Sequence, residues 1–497
     1  MEFALKRNAC SCLQKVLEEV QNMEQSQEIR IPEEMPGIDH VISAWGQPVM
    51  RSKEWQSDGI GMSAGMMIWV LYMTEEGKLT HTEGWIPFQM HWDLLQGCVD
   101  GKVQIRLLPR YVDARSVSAR KILVRAGMAA MAQAWCPGEQ DVYTLEDAPQ
   151  SVELLNVTYP MQLPKESGER QFRMEEELIF PQSAPVPQEI MYYRMQPVVT
   201  DQKVLAGKAV FRGNGKLHML YRAADGQLYS WDFELPFSQF ADLEGSFSQD
   251  AQVDLQVVPS NVELELLEDG KLNIKSTLVA QYLVDDREML QLTEDAYSPG
   301  RNVTVRQQML ELPAVLEKRQ ENIYGEQSIP ADANLIVDTA FLPDFPKQRR
   351  AEDVIHVELP GMVQILYYGA DGTLQSASGK WIGQSSIKTD SSSQLNIVPA
   401  TDGEMQVMSG AESVICKGMV PMNMTVSAGQ GVPMVTAVEL GEVKPDPARP
   451  ALVLWRMDDS RLWDVAKENG STMAAIRKIN ELENDPEKGK MLLIPVV

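Results

Sequence analysis

One nine-residue pattern decides the fold: LYMTEEGKL at residues 71–79 recurs as LYRAADGQL at 220–228 and as LYYGADGTL at 366–374. Each copy places an apolar and aromatic run before a glycine, and another apolar residue soon after it. Such runs are typical of β-strands, and the glycine permits the positive φ of a tight turn. The pattern therefore predicts one β-hairpin in each copy.

The spacing around the hairpins indicates that whole domains are repeated. Tyr72, Tyr221 and Tyr367 are 149 and 146 residues apart, which is close to the length of a domain and too long for a solenoid repeat. A proline lies 24 residues before each tyrosine, at Pro48, Pro197 and Pro343. Further alternating strand-like runs, such as residues 102–108 and 253–258, predict a small β-sandwich or barrel in each copy.

The third copy has diverged from the other two. Thirteen residues after the tyrosine, the first copy begins Trp85-Ile86-Pro87-Phe88 and the second Glu234-Leu235-Pro236-Phe237, but the third has Lys380-Trp381-Ile382-Gly383. We therefore predict a mainly β chain with three tandem domains, the third of them degenerate. Their predicted ranges are residues 28–154, 155–309 and 310–440.

Both ends of the chain carry different patterns. Residues 1–27 place Leu13, Val16, Leu17, Val20 and Met23 at helical spacing, which predicts an N-terminal amphipathic helix. Packing against the first β domain is the simpler role for it, and binding of a partner is the alternative. At the other end, residues 441–450 contain three prolines, which predicts a stiff linker before a separate module at 451–497. That module shows the order strand, helix, helix, strand.

Charge and cysteine content limit the classes of partner and compartment. The chain has 70 acidic and 45 basic residues, a formal net charge of -25, which disfavours nucleic acid and anionic membranes as partners. No apolar run has the length of a signal peptide or a membrane span. Five irregularly spaced cysteines suit a reducing compartment, where we expect free thiols. These features together predict a cytoplasmic protein.

The repeats and the terminal module together resemble a known family. The copies are similar to SPOCS domains, through Ile31–Pro36, Val70–Tyr72, Ile86–Phe88 and Arg120–Arg125. Residues 462–495, with Leu462-Trp463 and Lys490–Pro495, resemble a LysM domain in order and spacing. Three SPOCS-like copies followed by LysM is the plan of the SipL and SpoVID family of spore-coat morphogenesis proteins.

This resemblance implies a non-enzymatic scaffold in the mother-cell cytoplasm, at the forespore surface and spore coat. Its implied partners are the coat-basement ATPase, stage IV sporulation protein A, and other coat proteins. The LysM module is the part implied in the contact with the ATPase. The alternative is a cell-wall protein that binds N-acetylglucosamine polymers of peptidoglycan or chitin, which is the broadest LysM activity. In place of the Gly-Asp-Ser/Thr turn of glycan-binding members, this chain has Asp458-Asp459-Ser460-Arg461.

The candidate partner-binding residues all lie in the terminal module. Tryptophan is enriched in binding hot spots, and the altered turn stands directly before the Leu-Trp pair. We expect the contact to involve Trp455, Asp458, Asp459, Arg461, Leu462, Trp463 and Asn480.

A search for catalytic chemistry gives only weak candidates. Gly61-Met62-Ser63-Ala64-Gly65 matches the nucleophile elbow of hydrolases, but that motif needs a helix after the serine, and a strand follows here. His81 and His91 flank the Trp85–Phe88 strand without a third metal ligand, and Cys10-x-Cys12 lacks a second pair. We therefore predict no catalytic residues, no cofactor and no metal.

Overall fold

A computed structural model describes residues 5–56, 58–94, 98, 100–145, 148–149, 151–390, 393–399, 403–444 and 451–496. Strands dominate these residues, and two short helices in the last segment are the only helices among them. The predicted mainly β fold class is confirmed. None of the helices in the described part of the chain is long and apolar enough to cross a membrane.

The strands fall into three successive groups and a terminal module. The first group contains β1 Lys6–Arg30, β2 Ile38–Trp55, β3 Gly59–Thr74, β4 Leu79–Asp93, β5 Lys102–Ser118 and β6 Lys121–Thr144. The second contains β7 Glu153–Leu178, β8 Pro187–Leu205, β9 Lys208–Ala223, β10 Leu228–Asp242, β11 Gln252–Leu266 and β12 Leu272–Tyr297.

The third group contains β13 Arg301–Pro330, β14 Ala333–Pro343, β15 Lys347–Ala351, β16 Val354–Gly369, β17 Leu374–Lys388, β18 Ser393–Pro399, β19 Glu404–Ser409 and β20 Ser413–Val443. The terminal module contains β21 Leu452–Arg456, α1 Leu462–Glu468, α2 Met473–Ile479 and β22 Met491–Pro495.

All three groups share two patterns of strand pairing. Each has an antiparallel meander, in the orders β2-β3-β4, β8-β9-β10 and β14-β16-β17. In each group the long first strand also pairs with the long last strand, as β1 with β6, β7 with β12 and β13 with β20. These strands form a second sheet in the first and second groups. In the third group β13 also pairs with β17, so one continuous eight-stranded sheet results. In the first group, both sheets supply one core, which contains Ile60 and Trp92 from the meander and Ile105 and Ala130 from the other sheet. That arrangement is a sandwich of two sheets.

The hairpin repeat occupies the same place in each meander. Tyr72, Tyr221 and Tyr367 lie on β3, β9 and β16, and all three side chains are buried. The turns that follow contain Gly77, Gly226 and Gly372, at φ 77°, 80° and 77°. Because an L side chain is strained at such a φ, glycine is required where each of these hairpins turns.

The third core replaces the missing phenylalanine by a tryptophan that lies two positions earlier in the repeat. Trp381 is fully buried at the position that corresponds to Ile86, and Gly383 stands where the first group has Phe88. Its indole lies against Gly325, Gly383 and Gly418, and a Cβ added to any of them would come within 2.7 Å of the ring. Three backbone sites without side chains thus make the space that one indole fills.

The predicted N-terminal helix is wrong, because residues 6–30 form strand β1. This strand pairs with β6 from Lys6↔Thr144 to Arg30↔Lys121, with a bulge between Lys15 and Leu17. The bulge shifts the in-and-out alternation, so Val16 and Leu17 both pack against the first core. The inward-facing positions before and after the bulge are therefore out of phase with each other. Together they give apolar residues at a spacing that resembles that of a helix.

Strand pairing also bears on the ends of the groups. The boundaries at residues 28, 155 and 310 stay predictions, and the pairing of each first strand favours placing them before Lys6, Glu153 and Arg301. Residues 441–443 of the predicted linker belong to β20. The prolines of that linker, at residues 445–450, lie outside the described residues.

The expectation of free thiols is wrong for two of the five cysteines. Cys98, just before β5, and Cys136 on β6 form a disulfide, with their Cα atoms 6.2 Å apart. Strand pairing brings them together, since Lys102 at the start of β5 lies opposite Trp135. Cys10, Cys12 and Cys416 are free.

We predict that Trp381→Ala lowers the free energy of unfolding of the third group by about 3–5 kcal/mol, because the cavity cannot be closed by the surrounding backbone. The control is Ile382→Ala, which changes a 43% exposed side chain and should cost less than about 1 kcal/mol. Urea unfolding followed by circular dichroism measures both. Equal effects of the two substitutions would contradict the packing described for Trp381.

We also predict that the denatured, non-reduced protein exposes three reactive thiols and that reduction raises the number to five. Thiol titration in guanidinium measures this directly. Peptide mapping without reductant should recover Cys98 linked to Cys136. Five thiols before reduction would show that the bond does not form.

Candidate partner-binding site

The terminal module has a small core, which Tyr297 of β12 joins. Strands β21 and β22 pair antiparallel, from Leu452↔Pro495 to Arg456↔Met491. One face of this two-stranded sheet covers the helices, and the core contains Leu462, Trp463, Val465, Ala466, Ile476, Leu492 and Ile494. The α2 helix begins after Thr472, whose side chain accepts a hydrogen bond from the Ala475 N–H.

Helix α1 is bound to the last strand of the second group. The Trp463 indole packs edge-on against Tyr297, with ring centroids 4.7 Å apart, and its Nε1 donates to Asp295 at 2.9 Å. Lys467 lies 2.6 Å from the same carboxylate, and Arg461 lies 2.9 Å from Glu294. These contacts join the terminal module to β12.

Burial sets the strength of these contacts. Glu294 and Asp295 keep only 5% and 13% of their side chains exposed, so their charges require the cations of α1. Tyr297 is buried, and its hydroxyl donates to the Ser471 carbonyl at 2.9 Å. Burial, with the nearby carboxylates of Glu153 and Asp295, raises the pKa of Tyr297, which keeps it a neutral donor.

The expected site residues divide into three kinds of position. Leu462 and Trp463 are each 2% exposed, so they are core residues of the interface with β12. Asp458, Asp459 and Arg461 are exposed on the turn before α1, and Trp455 is half-buried on the inward face of β21. The structure therefore does not gather the seven expected residues on one open surface.

The turn that replaces the glycan-type sequence is held by its own side chains. Asp458 accepts hydrogen bonds from the Ser460 N–H and hydroxyl. The hydroxyl bond is the main cause that lowers the pKa of Asp458, which keeps it charged. Lys488 lies 2.6 Å from Asp459 and links the turn to the segment before β22. The turn is thus an anionic loop with internal partners.

Asn480, which the sequence analysis predicts as a partner-binding residue, bonds the backbone of β22. Its side chain donates to the Leu493 carbonyl at 2.7 Å and accepts from the Leu493 N–H at 2.8 Å. A backbone strand would make the same pair of bonds, so Asn480 closes the outer edge of β22.

The weak catalytic candidates do not come together. Ser63 lies within β3, opposite Ser52 on one side and Gln89 on the other, which is the middle of a sheet and not a strand-to-helix elbow. His81 and His91 lie near opposite ends of β4. Within the described ranges, no three His, Cys, Asp or Glu side chains are gathered as a metal site.

Equivalent positions join the three groups in a cycle. The residue three positions before each repeat tyrosine contacts the residue 29 positions before the tyrosine of the next group. Trp69 packs on Tyr192 with ring centroids 6.3 Å apart, His218 bonds Asp338 at 2.8 Å, and Gln364 donates to Ser43 at 2.7 Å. We call these contacts the first, second and third junctions. The third one returns to the first group, so the cycle closes.

A second set of equivalent positions repeats the pattern. Nine residues after the repeat tyrosine lie His81, Ser230 and Ser376. His81 faces Glu189 at 3.4 Å, the Ser230 hydroxyl donates to the Val337 carbonyl at 3.3 Å, and the Ser376 hydroxyl donates to the Ile42 carbonyl. Each group therefore uses the same two places on its meander to hold the next group.

The second junction contains a buried ion pair that the sequence did not reveal. His218 bonds Asp232 at 2.7 Å through its other ring nitrogen, and Asp338 keeps 2% of its side chain exposed. Burial alone would lower the pKa of His218, but Asp338 and Asp232 outweigh it and raise that pKa to about 8. The protonated ring in turn lowers the pKa of Asp338 despite its burial.

At the third junction the first and third groups leave a cleft of about 670 Å³. Its wall includes Ala377 and Ser378 of β17, where the first group has Thr82 and Glu83. The wall of this cleft therefore includes two small side chains of the diverged copy.

The fold and the site define a class: a chain of three cyclically joined antiparallel β groups that holds a small α/β module on its second group. The comparison with protein families makes the class more specific. Residues 187–267 match the family model described as SipL, SPOCS domain. The match begins with β8 and ends just after β11. It confirms the resemblance to SipL spore-coat proteins over this range and indicates a role in sporulation and the spore coat.

No curated protein and no solved structure matches the chain.

We predict that His218 makes the stability of the protein fall between about pH 6.5 and pH 8. Folding raises the pKa of His218, so the protonated ring stabilises the folded state. This stabilisation is fully present below the pKa of the unfolded chain, about 6.5, and is lost as the pH rises through the folded pKa of about 8. The loss should approach about 2 kcal/mol. Chemical unfolding across this pH range measures it.

The matched variants replace residues of the second junction by those found at the equivalent positions of the third junction. His218→Gln with Asp338→Ser reproduces the Gln364–Ser43 pair, which has no titrating group. This double variant should lose the pH dependence while keeping the fold. Asp338→Ser alone should lower the pKa of His218 and destabilise the junction. A pH profile unchanged in the double variant would assign the dependence to other groups.

Proposed function

We propose that this chain is a non-enzymatic scaffold of the spore coat, located in the mother-cell cytoplasm at the forespore surface. In this proposal the terminal module binds the coat-basement ATPase, stage IV sporulation protein A, while the β groups contact other coat proteins. The observation that carries the proposal is the SPOCS match at residues 187–267, within the strand group that also holds the terminal module.

The attachment of the module supports a scaffold. Trp463, Lys467 and Arg461 fix α1 to β12 with aromatic and ionic contacts, so the module has a defined place on the second group. A partner bound by the module is therefore held at a fixed position relative to the three β groups. The resemblance to the SipL and SpoVID family, in which the LysM module is implied in the contact with the ATPase, supports the ATPase as that partner.

The glycan alternative has less support. The Asp458–Arg461 turn replaces the sequence found in glycan-binding LysM domains, and it carries two exposed carboxylates. Trp463, which follows the turn, donates its indole N–H to Asp295 of β12. Neither feature favours an N-acetylglucosamine polymer at this loop.

We predict that the purified full-length chain binds the purified coat-basement ATPase and that a chain ending at Val443 binds it at least tenfold more weakly. Biolayer interferometry measures both, and circular dichroism confirms that the truncated chain keeps its strands. Equal affinities would overturn the role given to the terminal module.

Calorimetry of the full-length chain with chitin oligomers tests the alternative. Saturable binding with a micromolar dissociation constant, in a chain that does not bind the ATPase, would favour the glycan function instead.

A further inference from the structure

The two edges of the terminal sheet differ in a way that matters for binding. The outer edge of β22 is closed at its centre, because Asn480 bonds both the N–H and the carbonyl of Leu493. Among the described residues, no side chain bonds the outer edge of β21 in this way. In the described part of the chain, β22 is the only strand that pairs with β21.

The backbone geometry shows which groups of β21 are open. The Ala451 carbonyl accepts from the Val496 N–H at 3.2 Å, and the Met457 N–H donates to the Lys490 carbonyl at 2.9 Å. Odd-numbered residues therefore bond β22, and the backbone groups of Leu452, Leu454 and Arg456 point the other way. These groups form a row of donors and acceptors suited to one more strand.

The side chains beside this edge are apolar and exposed. Leu452 and Leu454 are 45% and 63% exposed on the outward face of the sheet, and Met491 and Leu493 on β22 are 50% and 37% exposed. Register places Leu454 opposite Leu493. Ile479, just before Asn480, is 42% exposed. Five of the exposed large apolar side chains thus belong to this small module.

The attachment to β12 leaves this surface open. Arg461, Trp463, Lys467 and Ser471 make the hydrogen bonds and ion pairs with β12, and all of them lie outside the two strands. Among the described residues, the outward side chains of β21 make no hydrogen bond or ion pair. The module therefore has one side bound to its own chain and another side available.

Charge indicates what can occupy the open side. Arg456 ends the row of outward residues on β21, and Lys490 precedes its neighbour Met491. Neither side chain has an ion-pair partner in the described ranges, although the chain as a whole carries a net charge of -25. Arg456, unpaired among the described residues, lies beside an apolar face and is complementary to a segment with apolar residues and a carboxylate.

We infer that β21 is the acceptor edge for an extended segment of a protein partner, which adds as a third strand antiparallel or parallel to Leu452–Arg456. Alternate apolar side chains of that segment cover Leu452 and Leu454, and an acidic side chain pairs with Arg456. Main-chain hydrogen bonds supply affinity, and the alternation supplies specificity. The inference deepens the proposed function, since it names the surface by which the module binds.

The decisive substitution is Leu454→Pro. The Leu454 N–H points away from β22, so proline removes a donor from the open edge and leaves the β21–β22 hydrogen bonds intact. The matched control is Leu454→Thr, which keeps the N–H and strand propensity. The probe is the purified coat-basement ATPase, measured against the full-length chain by biolayer interferometry.

We expect Leu454→Pro to weaken binding at least tenfold and Leu454→Thr by only a few fold. Arg456→Glu should weaken it about fivefold at low salt, and less at high salt, because the charges are exposed. Thermal unfolding of each variant controls for the fold. Arg456→Glu keeps the test valid if proline disturbs the module.

The outcomes separate this inference from the proposed function. If the unaltered chain does not bind the ATPase, the proposed function fails. If it binds, and both Leu454→Pro and Arg456→Glu bind equally well, the acceptor edge is wrong while the function stands. Sedimentation supplies the remaining outcome: a dimer that Leu454→Pro converts to monomer, with ATPase binding unchanged, would make a second copy the occupant and overturn the inference.

Discussion

Pairing between the first and last strand of each group is the constraint on which the rest of the structure depends. Strands β1, β7 and β13 pair with β6, β12 and β20, all six strands are 24 to 31 residues long, and this pairing closes each group before the next begins. The pairing also sets local detail. In the β7–β12 ladder the register shifts between Thr293 and Asp295, which is a bulge at Glu294. Since a bulge turns neighbouring side chains to new directions, Glu294, Asp295 and Tyr297 can all serve the terminal module.

The local parts of the fold could be predicted from the sequence, and the long-range parts could not. A hairpin is specified within about ten residues, so the repeat at Tyr72 identified β3–β4 and its two equivalents. Strand β1 pairs with β6, whose residues lie more than 90 positions away in the sequence. The residues around Val16 contain no pattern that identifies β6 as the partner. The bulge in β1 also disturbed the alternation that would have indicated a strand. The disulfide could not be predicted for the same reason, since it depends on long-range pairing. The register between β5 and β6 brings Cys98 and Cys136 together.

The candidate site shows a similar division. The sequence identified the module and its order of elements, and it selected Trp463 as a contact residue. Trp463 makes this contact within its own chain, because its indole packs against Tyr297 and donates a hydrogen bond to Asp295 of β12. Asn480 was selected from its family pattern, and it closes a strand edge. The open edge at Leu454 had no sequence signal, since exposed and buried leucines look alike until the pairing of β21 is known.

The three junctions use one geometry with three chemistries, and this difference disfavours other pairings of the groups. An aromatic pair, a buried ion pair and an amide–hydroxyl pair occupy equivalent places at Trp69, His218 and Gln364. If the first group docked on the third, Trp69 would face Asp338 and leave a buried carboxylate without a partner, which costs several kcal/mol. If the third docked on the second, Gln364 would face Tyr192 in place of Ser43. Identical junctions would allow groups from different chains to exchange. The divergence of the copies therefore protects the cycle by making wrong neighbours unfavourable.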